Sequence, residues 1–175
     1  MDLRAVRRSI QGARRVVRWF GSHAVNTAEN SYMLRYHNVA VYLEDLPEKY
    51  AAMLSPLTFR DQWALLLGRH VSHVGRRLVL LHENGHLFQG TAELGVTYDH
   101  DDWTAPAEQG ADVFAAIGLL PTCNVDQVLG DHLWIRDVED ELALLLMDTA
   151  EGVWSEERAL QVAKNRLRVR ERLGV

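Results

Sequence analysis

A short motif inside an apolar helical stretch constrains this chain more than any other feature. Residues 74–88 contain no proline and carry an apolar run at 78–81, which predicts a helix. Within it stands His-Glu-Asn-Gly-His, at residues 82–86. Because four residues turn a helix through about 400°, His82 and His86 project from one face, about 6 Å apart along the axis, and can bind one metal ion. Glu83 lies beside them, where it can take a proton from water that a metal activates.

A catalytic zinc site needs a third protein ligand and one open coordination position. The extended motif with a third histidine would require that residue at position 92, where the chain has Ala92, so this arrangement is excluded. A later predicted helix, which begins at Pro106, supplies the carboxylate of Glu108 instead. Asp112 lies one turn further on the same face. It can accept the free N–H of a ligand histidine and so fix the tautomer of that ring.

The segment at residues 98–102 is a second source of metal ligands, because it reads Tyr-Asp-His-Asp-Asp. Its spacing does not match a calcium-binding loop. We interpret it mainly as part of the wall of a cleft, with Tyr98 or His100 donating a hydrogen bond to a developing oxyanion. If His100 or Asp102 were instead a fourth ligand, the site would be closed and structural.

Acidic and basic residues are unevenly distributed along the chain, which carries a net charge of -5. Residues 1–20 contain six arginines and one aspartate, and residues 151–175 contain six basic residues and four glutamates. The intervening residues 21–150 contain seven basic and nineteen acidic residues. An acidic body can attract a basic partner, whereas the basic ends can contact DNA or form solvated helix faces. Both interpretations of the ends stay open.

The composition indicates a single globular unit. The chain has 175 residues, of which 47% are hydrophobic and 25% charged, so intrinsic disorder is disfavoured. Cys123 is the only cysteine and lies in no nucleophile signature, so we expect neither a disulfide-linked partner nor thiol catalysis. No apolar run approaches the roughly eighteen residues of a membrane span, and the arginine-rich start lacks the apolar core of a secretion signal. We therefore expect a cytoplasmic protein without a membrane partner.

The predicted elements describe an α+β fold. Short β-type runs at residues 39–43, 50–54 and 62–67 predict a small sheet of about three strands, with a turn at residues 55–56. The sheet would be antiparallel or mixed and would pack on the helix that carries the two histidines.

Helices are predicted on both sides of this core. We divide the chain into a basic amphipathic N-terminal helix, a core and a C-terminal helical module that packs on the core as one compact unit (residues 1–22, 23–135 and 136–175). In the last helix, at residues 156–172, three apolar residues form the predicted inner face and arginines occupy the solvated face (Leu160, Ala163 and Leu167).

Two segments of the chain together resemble the ImmA/IrrE metallopeptidases. Members of that family pair an H-E-x-G-H helix with a later segment of the form E-x-x-A-[ND]-x-F-A-A-x-L-L-x-P. Residues 82–86 match the first and residues 108–121 match the second, in the same order. The resemblance covers about residues 24–175 and implies a zincin-like minimal metallopeptidase core. The chain departs from the family pattern at Asn84 and at the glycines at positions 110 and 118. These two glycines predict a looser or kinked second helix.

The resemblance also implies roles for individual residues. His82, His86 and Glu108 would be the zinc ligands, and Glu83 would be the general base. The chain would then be a zinc-dependent endopeptidase that cleaves a helix-turn-helix transcriptional repressor and derepresses mobile-element or stress and DNA-damage genes. The same donor set also accepts Mn²⁺ or Fe²⁺. The alternative is a non-proteolytic DNA- or protein-binding regulator with a structural or vestigial metal site.

Overall fold

A computed structural model of the chain describes residues 7–8, 10–12, 14–15, 34, 37–57, 62–89, 97–99, 103, 105–151 and 153–174, with the backbone alone at 56–57 and 97–99. The strands are β1 (Val39–Glu44), β2 (Tyr50–Leu57), β3 (Gln62–Gly68) and β4 (Thr97–Asp99). The helices are α1 (His73–Gln89), α2 (Pro106–Leu119), α3 (Thr122–Asp131), α4 (Ile135–Ala150) and α5 (Glu156–Leu173). The described residues between 7 and 15 are also helical. The predicted α+β class is confirmed.

The four strands form one mixed sheet in the order β1-β3-β2-β4. Strand β1 runs parallel to β3, and β2 runs antiparallel to both of its neighbours. The three predicted strands are present, and the fourth, β4, is too short to produce a clear alternating pattern in the sequence. The predicted turn at Ser55-Pro56 is wrong, because both residues lie within β2. Strand β4 pairs with β2 only at Tyr50 and Met53. At Pro56, therefore, β2 pairs with β3 alone among the described strands. Proline is tolerated there because the other side of the strand is an edge.

One apolar core joins the sheet to the helices. Leu65 of β3, Leu78 and Leu81 of α1, and Leu142 of α4 are fully buried in it. Ser72 caps the start of α1, where its Oγ accepts a hydrogen bond from the backbone N–H of Gly75 at 3.0 Å. Burial of α1 on several sides holds its side chains in fixed positions.

Helix α5 is more deeply buried than its arginine content predicts. The three apolar residues of its predicted inner face are buried or partly buried (Leu160, Ala163 and Leu167). Arg158 and Arg166, however, are also buried, so the predicted solvated arginine face is correct only in part. The Nε and Nη2 of Arg166 donate to the carbonyl of Leu120, at 3.2 and 3.0 Å, and so satisfy a backbone acceptor just beyond the end of α2.

None of the helices in the described part of the chain is by itself both long and apolar enough to cross a membrane. Helices α2 and α3 satisfy the length and composition requirements only as a pair, and they meet at a bend of 82°.

Candidate metal centre

Helix α1 holds the two motif histidines and the intervening glutamate in the interior of the protein. His82, Glu83 and His86 are only 0%, 4% and 6% exposed. The Nε2 atoms of His82 and His86 lie 2.9 Å apart, one helical turn from each other. The predicted common face of the two rings is therefore present, and it points into a buried space shared with α2.

Two glycines allow α2 to approach α1 closely. A Cβ at Gly85 would lie 2.8 Å from the Cα of Ala111, and a Cβ at Gly118 would lie 2.8 Å from the side chain of Leu81. A larger residue at Gly85 would collide with the backbone of α2, whereas one at Gly118 would require the Leu81 side chain to move. Helix α2 continues through Gly110 and Gly118 up to Leu119, so neither glycine ends the helix.

Glu108, in the first turn of α2, reaches both histidines across this close helix contact. Its Oε2 lies 3.1 Å from Nε2 of His82, and its Oε1 lies 3.1 Å from Nε2 of His86. The three residues each offer a ligand atom within 4.8 Å of the others. The Glu108 Oε2 is buried and accepts no hydrogen bond from any residue in the described part of the chain.

These three donors fit a zinc ion. Ligand atoms at zinc distances of about 2.0–2.1 Å in a tetrahedron lie about 3.3 Å from one another, which is close to the separations found here. Two imidazoles and one carboxylate are a common catalytic donor set, and three protein ligands leave the fourth position open. A buried His-His-Glu group of this kind can hold a metal, and its donors do not select a single ion.

Asp112, one turn beyond Glu108, holds the ring of His82 from the opposite side. Its Oδ1 lies 2.8 Å from Nδ1 of His82, and its side chain is 2% exposed. A carboxylate on Nδ1 keeps the proton on that nitrogen and leaves Nε2 free to bind a metal. The structure thus brings Asp112 to the position that the helical spacing predicts.

Arg158 is a residue of this site that the sequence analysis missed. Its Nε donates to Oδ2 of Asp112 at 2.9 Å, and its Nη2 donates to Oδ1 at 2.7 Å. The same Nη2 lies 4.0 Å from Oε2 of Glu108, and the guanidinium stacks 5.7 Å from the ring centre of Trp154. One signal was present in the sequence: Arg158 lies one helical turn before the apolar Val162 and so shares its face of the helix.

Charge and burial act in opposite directions on the titratable groups of the site. Burial lowers the pKa of His82, but the carboxylates of Glu108 and Asp112 outweigh it and raise this pKa to about 9. Burial also favours the protonated form of Glu108, yet His82 and His86 hold the pKa of its carboxyl well below the usual range. Burial raises the pKa of Glu83, although the two histidines oppose the shift. A raised pKa suits a carboxylate that must accept and return a proton near neutral pH.

The remaining predicted site residues fall outside what the structure describes. The backbone of Tyr98 lies in β4, but its side chain is not among the described ones. His100 and Asp102 lie wholly outside the described residues. Their suggested contributions to an oxyanion site or to a fourth metal ligand therefore stay predictions. Cys123 is exposed, near the start of α3.

Comparison with known proteins agrees with this geometry. No curated protein and no solved structure matches the chain. The sequence model of the IrrE N-terminal-like domain matches residues 34–153, a range that includes all of α1 and α2. This match spans well over half of the sequence and supports a metallopeptidase-type hydrolase. The chain therefore belongs to the ImmA/IrrE family, whose IrrE N-terminal-like domain it contains.

Proposed function

We propose that this chain is a zinc-dependent endopeptidase whose substrate is a helix-turn-helix transcriptional repressor, and that cleavage derepresses mobile-element or stress-response genes. The observation that carries the proposal is the buried convergence of His82, His86 and Glu108, with Glu83 between the two histidines in sequence. The choice of substrate rests on the family resemblance. It is supported by the acidity of residues 21–150, because an acidic surface attracts a basic DNA-binding protein.

In this mechanism each residue has a separate task. His82, His86 and Glu108 would hold the zinc, and Asp112 would keep the proton of His82 on Nδ1. A zinc ion held there would supply Lewis-acid chemistry, which polarises a carbonyl and makes water more acidic. A carboxylate oxygen of Glu83 takes a proton from the attacking water and then delivers it to the nitrogen of the leaving amine. Burial of Glu83 raises its pKa and so makes it the stronger base.

The edge of the sheet offers a place for an extended substrate. Strand β4 pairs with β2 alone among the described strands, and in the chain it lies between α1 and α2, which carry the metal-binding residues. A peptide that adds to this edge would gain backbone hydrogen bonds. We propose that Tyr98 or His100, at or just after β4, donates to the oxyanion of the scissile carbonyl.

The proposal is tested by cleavage of the helix-turn-helix protein encoded beside the gene. The zinc-loaded chain should cut this protein, and the Glu83→Gln variant should keep stoichiometric zinc while losing at least a hundredfold in cleavage rate. The matched control is Glu157→Gln, an exposed glutamate in α5, which should cleave like the wild type. Retained cleavage by Glu83→Gln would overturn the general-base role, and an intact partner under all metal conditions would overturn the substrate.

A second measurement tests the ligand set independently of cleavage. The Glu108→Ala variant should bind less zinc, as measured by metal analysis after gel filtration, because one of three ligands is lost. Unchanged zinc content would transfer the third-ligand role to residues 98–102.

Cleavage by the wild-type protein should also slow as salt is added, since screening weakens electrostatic attraction. Salt-independent cleavage would contradict the role of the acidic surface.

A further inference from the structure

The two basic ends of the sequence meet in the folded chain. The described helical residues near the N-terminus pack against the last turns of α1 and α5. Nη1 of Arg8 donates to the carbonyl of Gln89 at 3.1 Å, and Nη2 of Arg14 donates to the carbonyl of Leu173 at 3.0 Å. A Cβ at Gly12 would lie 2.9 Å from the side chain of Phe88, so this contact is close. Basic segments from opposite ends of the chain are thereby brought together.

Between these segments lies a cavity of about 490 Å³, which falls in the size range of small-molecule sites. Four arginines line it, two from the N-terminal residues and two from α5 (Arg7, Arg14, Arg168 and Arg172). No acidic residue is among the described residues that line it. Four like charges around one concave space repel one another, and an anion in that space would relieve the repulsion.

The wall of the cavity is not purely charged. Ile10, Val113 and Val169 are buried and supply an apolar surface, whereas Arg7, Arg168 and Arg172 are exposed at its rim. This combination suits a molecule with an apolar part and phosphate groups, because the planar guanidinium binds phosphate oxygens in pairs. A DNA duplex presents its phosphates along an extended surface, whereas a concave cavity of this volume encloses a small ligand.

We propose that this cavity binds a small organic phosphate of nucleotide size. Its phosphates contact Arg7, Arg168 and Arg172, and its apolar part packs on Ile10 and Val169. Such a ligand would hold the N-terminal residues on α5. It would also contact Val113 in α2. Val113 directly follows Asp112, which holds the ring of His82.

The test measures binding of ATP to the zinc-loaded full chain by calorimetry, with adenosine and pyrophosphate as separate probes. ATP should bind with a lower Kd than either probe, because only ATP has both the apolar part and the phosphates. The double variant Arg168→Ala and Arg172→Ala should raise the Kd for ATP by about tenfold or more, since charge-assisted hydrogen bonds are lost. The matched control removes two exposed arginines outside the cavity, Arg69→Ala and Arg136→Ala, and should leave this Kd unchanged.

Four results would overturn the proposal. ATP does not bind at millimolar concentration, or it binds equally to the double variant, which would place it elsewhere, for example at the zinc. Pyrophosphate binds as tightly as ATP, which would show a surface that attracts any anion. A DNA duplex displaces ATP and binds more tightly than ATP, which would make these arginines a nucleic-acid contact.

Discussion

Helix α5 makes two arginine–aspartate pairs of the same geometry in very different surroundings. Near its start, Arg158 donates to both carboxylate oxygens of Asp112, at 2.9 and 2.7 Å. Near its end, Arg170 donates to both oxygens of Asp126 in α3, at 2.7 and 3.0 Å. The side chains of the first pair are each 2% exposed, whereas those of the second are 30% and 46% exposed.

Burial, and not bond geometry, distinguishes the pair beside the candidate metal centre from the pair at the surface. The Asp112 carboxylate also holds His82, so the buried pair fixes the orientation of a ring in the candidate metal centre. The Asp126 carboxylate lies on the surface and ties α5 to α3 alone. Because the family match ends at residue 153, Arg158 completes the site from outside the matched region. We therefore expect α5 to be required for an intact metal centre.

The largest expected difference between the pairs is in stability. The Arg158→Ala variant should lower the free energy of unfolding by about 3–5 kcal/mol, because the buried Asp112 carboxylate loses both hydrogen bonds and the charge of the guanidinium. Urea denaturation of the metal-free protein measures this change. The matched variant Arg170→Ala should change the unfolding free energy little, since water solvates Asp126. Equal effects of the two variants would show that burial does not distinguish the pairs.

The next largest difference between the two pairs is expected in zinc affinity, when the aspartate of each pair is replaced. The Asp112→Asn variant should bind zinc about 10–100-fold more weakly, because the amide no longer fixes the Nδ1 proton of His82 as a carboxylate does. Competition with a chromogenic chelator gives the affinity, and circular dichroism checks that the variant is folded. The control Asp126→Asn should match the wild type. Wild-type affinity in Asp112→Asn would mean that the ring is held without its carboxylate partner.

The buried pair should also give the metal-free protein a distinct pH dependence. The folded-state pKa of His82 is raised to about 9, so its protonated form stabilises the fold fully below pH about 6.5, and this stabilisation is lost as pH rises through about 9. The thermal midpoint of the metal-free protein should therefore fall across this window. Zinc requires neutral His82, so the stabilisation that zinc adds should grow over the same range.

Two variants separate surface groups from this pH effect. His132, paired with Glu141 near the surface, also has a raised pKa, so the His132→Asn variant removes a second contribution of the same sign. Asp126→Asn should leave the profile above neutral pH unchanged, because Arg170 lowers the pKa of Asp126 further into the acidic range. A metal-free midpoint that stays flat or rises from pH 6.5 to 9 in His132→Asn would contradict the role given to His82.

The side chains whose placement follows from the sequence are those related by local geometry. His82 and His86 are placed by a four-residue spacing within one helix, and Glu108 and Asp112 by the same spacing within another. Helical periodicity fixes which side chains share a face, so each pair is predictable before the tertiary structure is known. Their meeting across α1 and α2 was expected from the resemblance of these two segments to a known family.

What the sequence did not predict depends on contacts between distant residues. Arg158 meets Asp112 across 46 positions, and its charge had favoured a solvated role. Gly85 and Gly118 have low helix propensity, but their lack of a side chain allows α1 and α2 to touch. In each case the tertiary environment outweighs the intrinsic preference of the residue.

The smallest expected effect concerns the exposed pair itself. The Arg170→Ala variant should lower the thermal midpoint slightly at low salt, and this small difference from wild type should disappear near 1 M NaCl, where the screening length is about 3 Å. Differential scanning calorimetry of both proteins at several salt concentrations gives the comparison. The destabilisation by Arg158→Ala should persist at high salt, because ions do not reach the 2% exposed Asp112 carboxylate. If salt abolished both differences, Asp112 would be accessible to ions, and the distinction between the two pairs would be wrong.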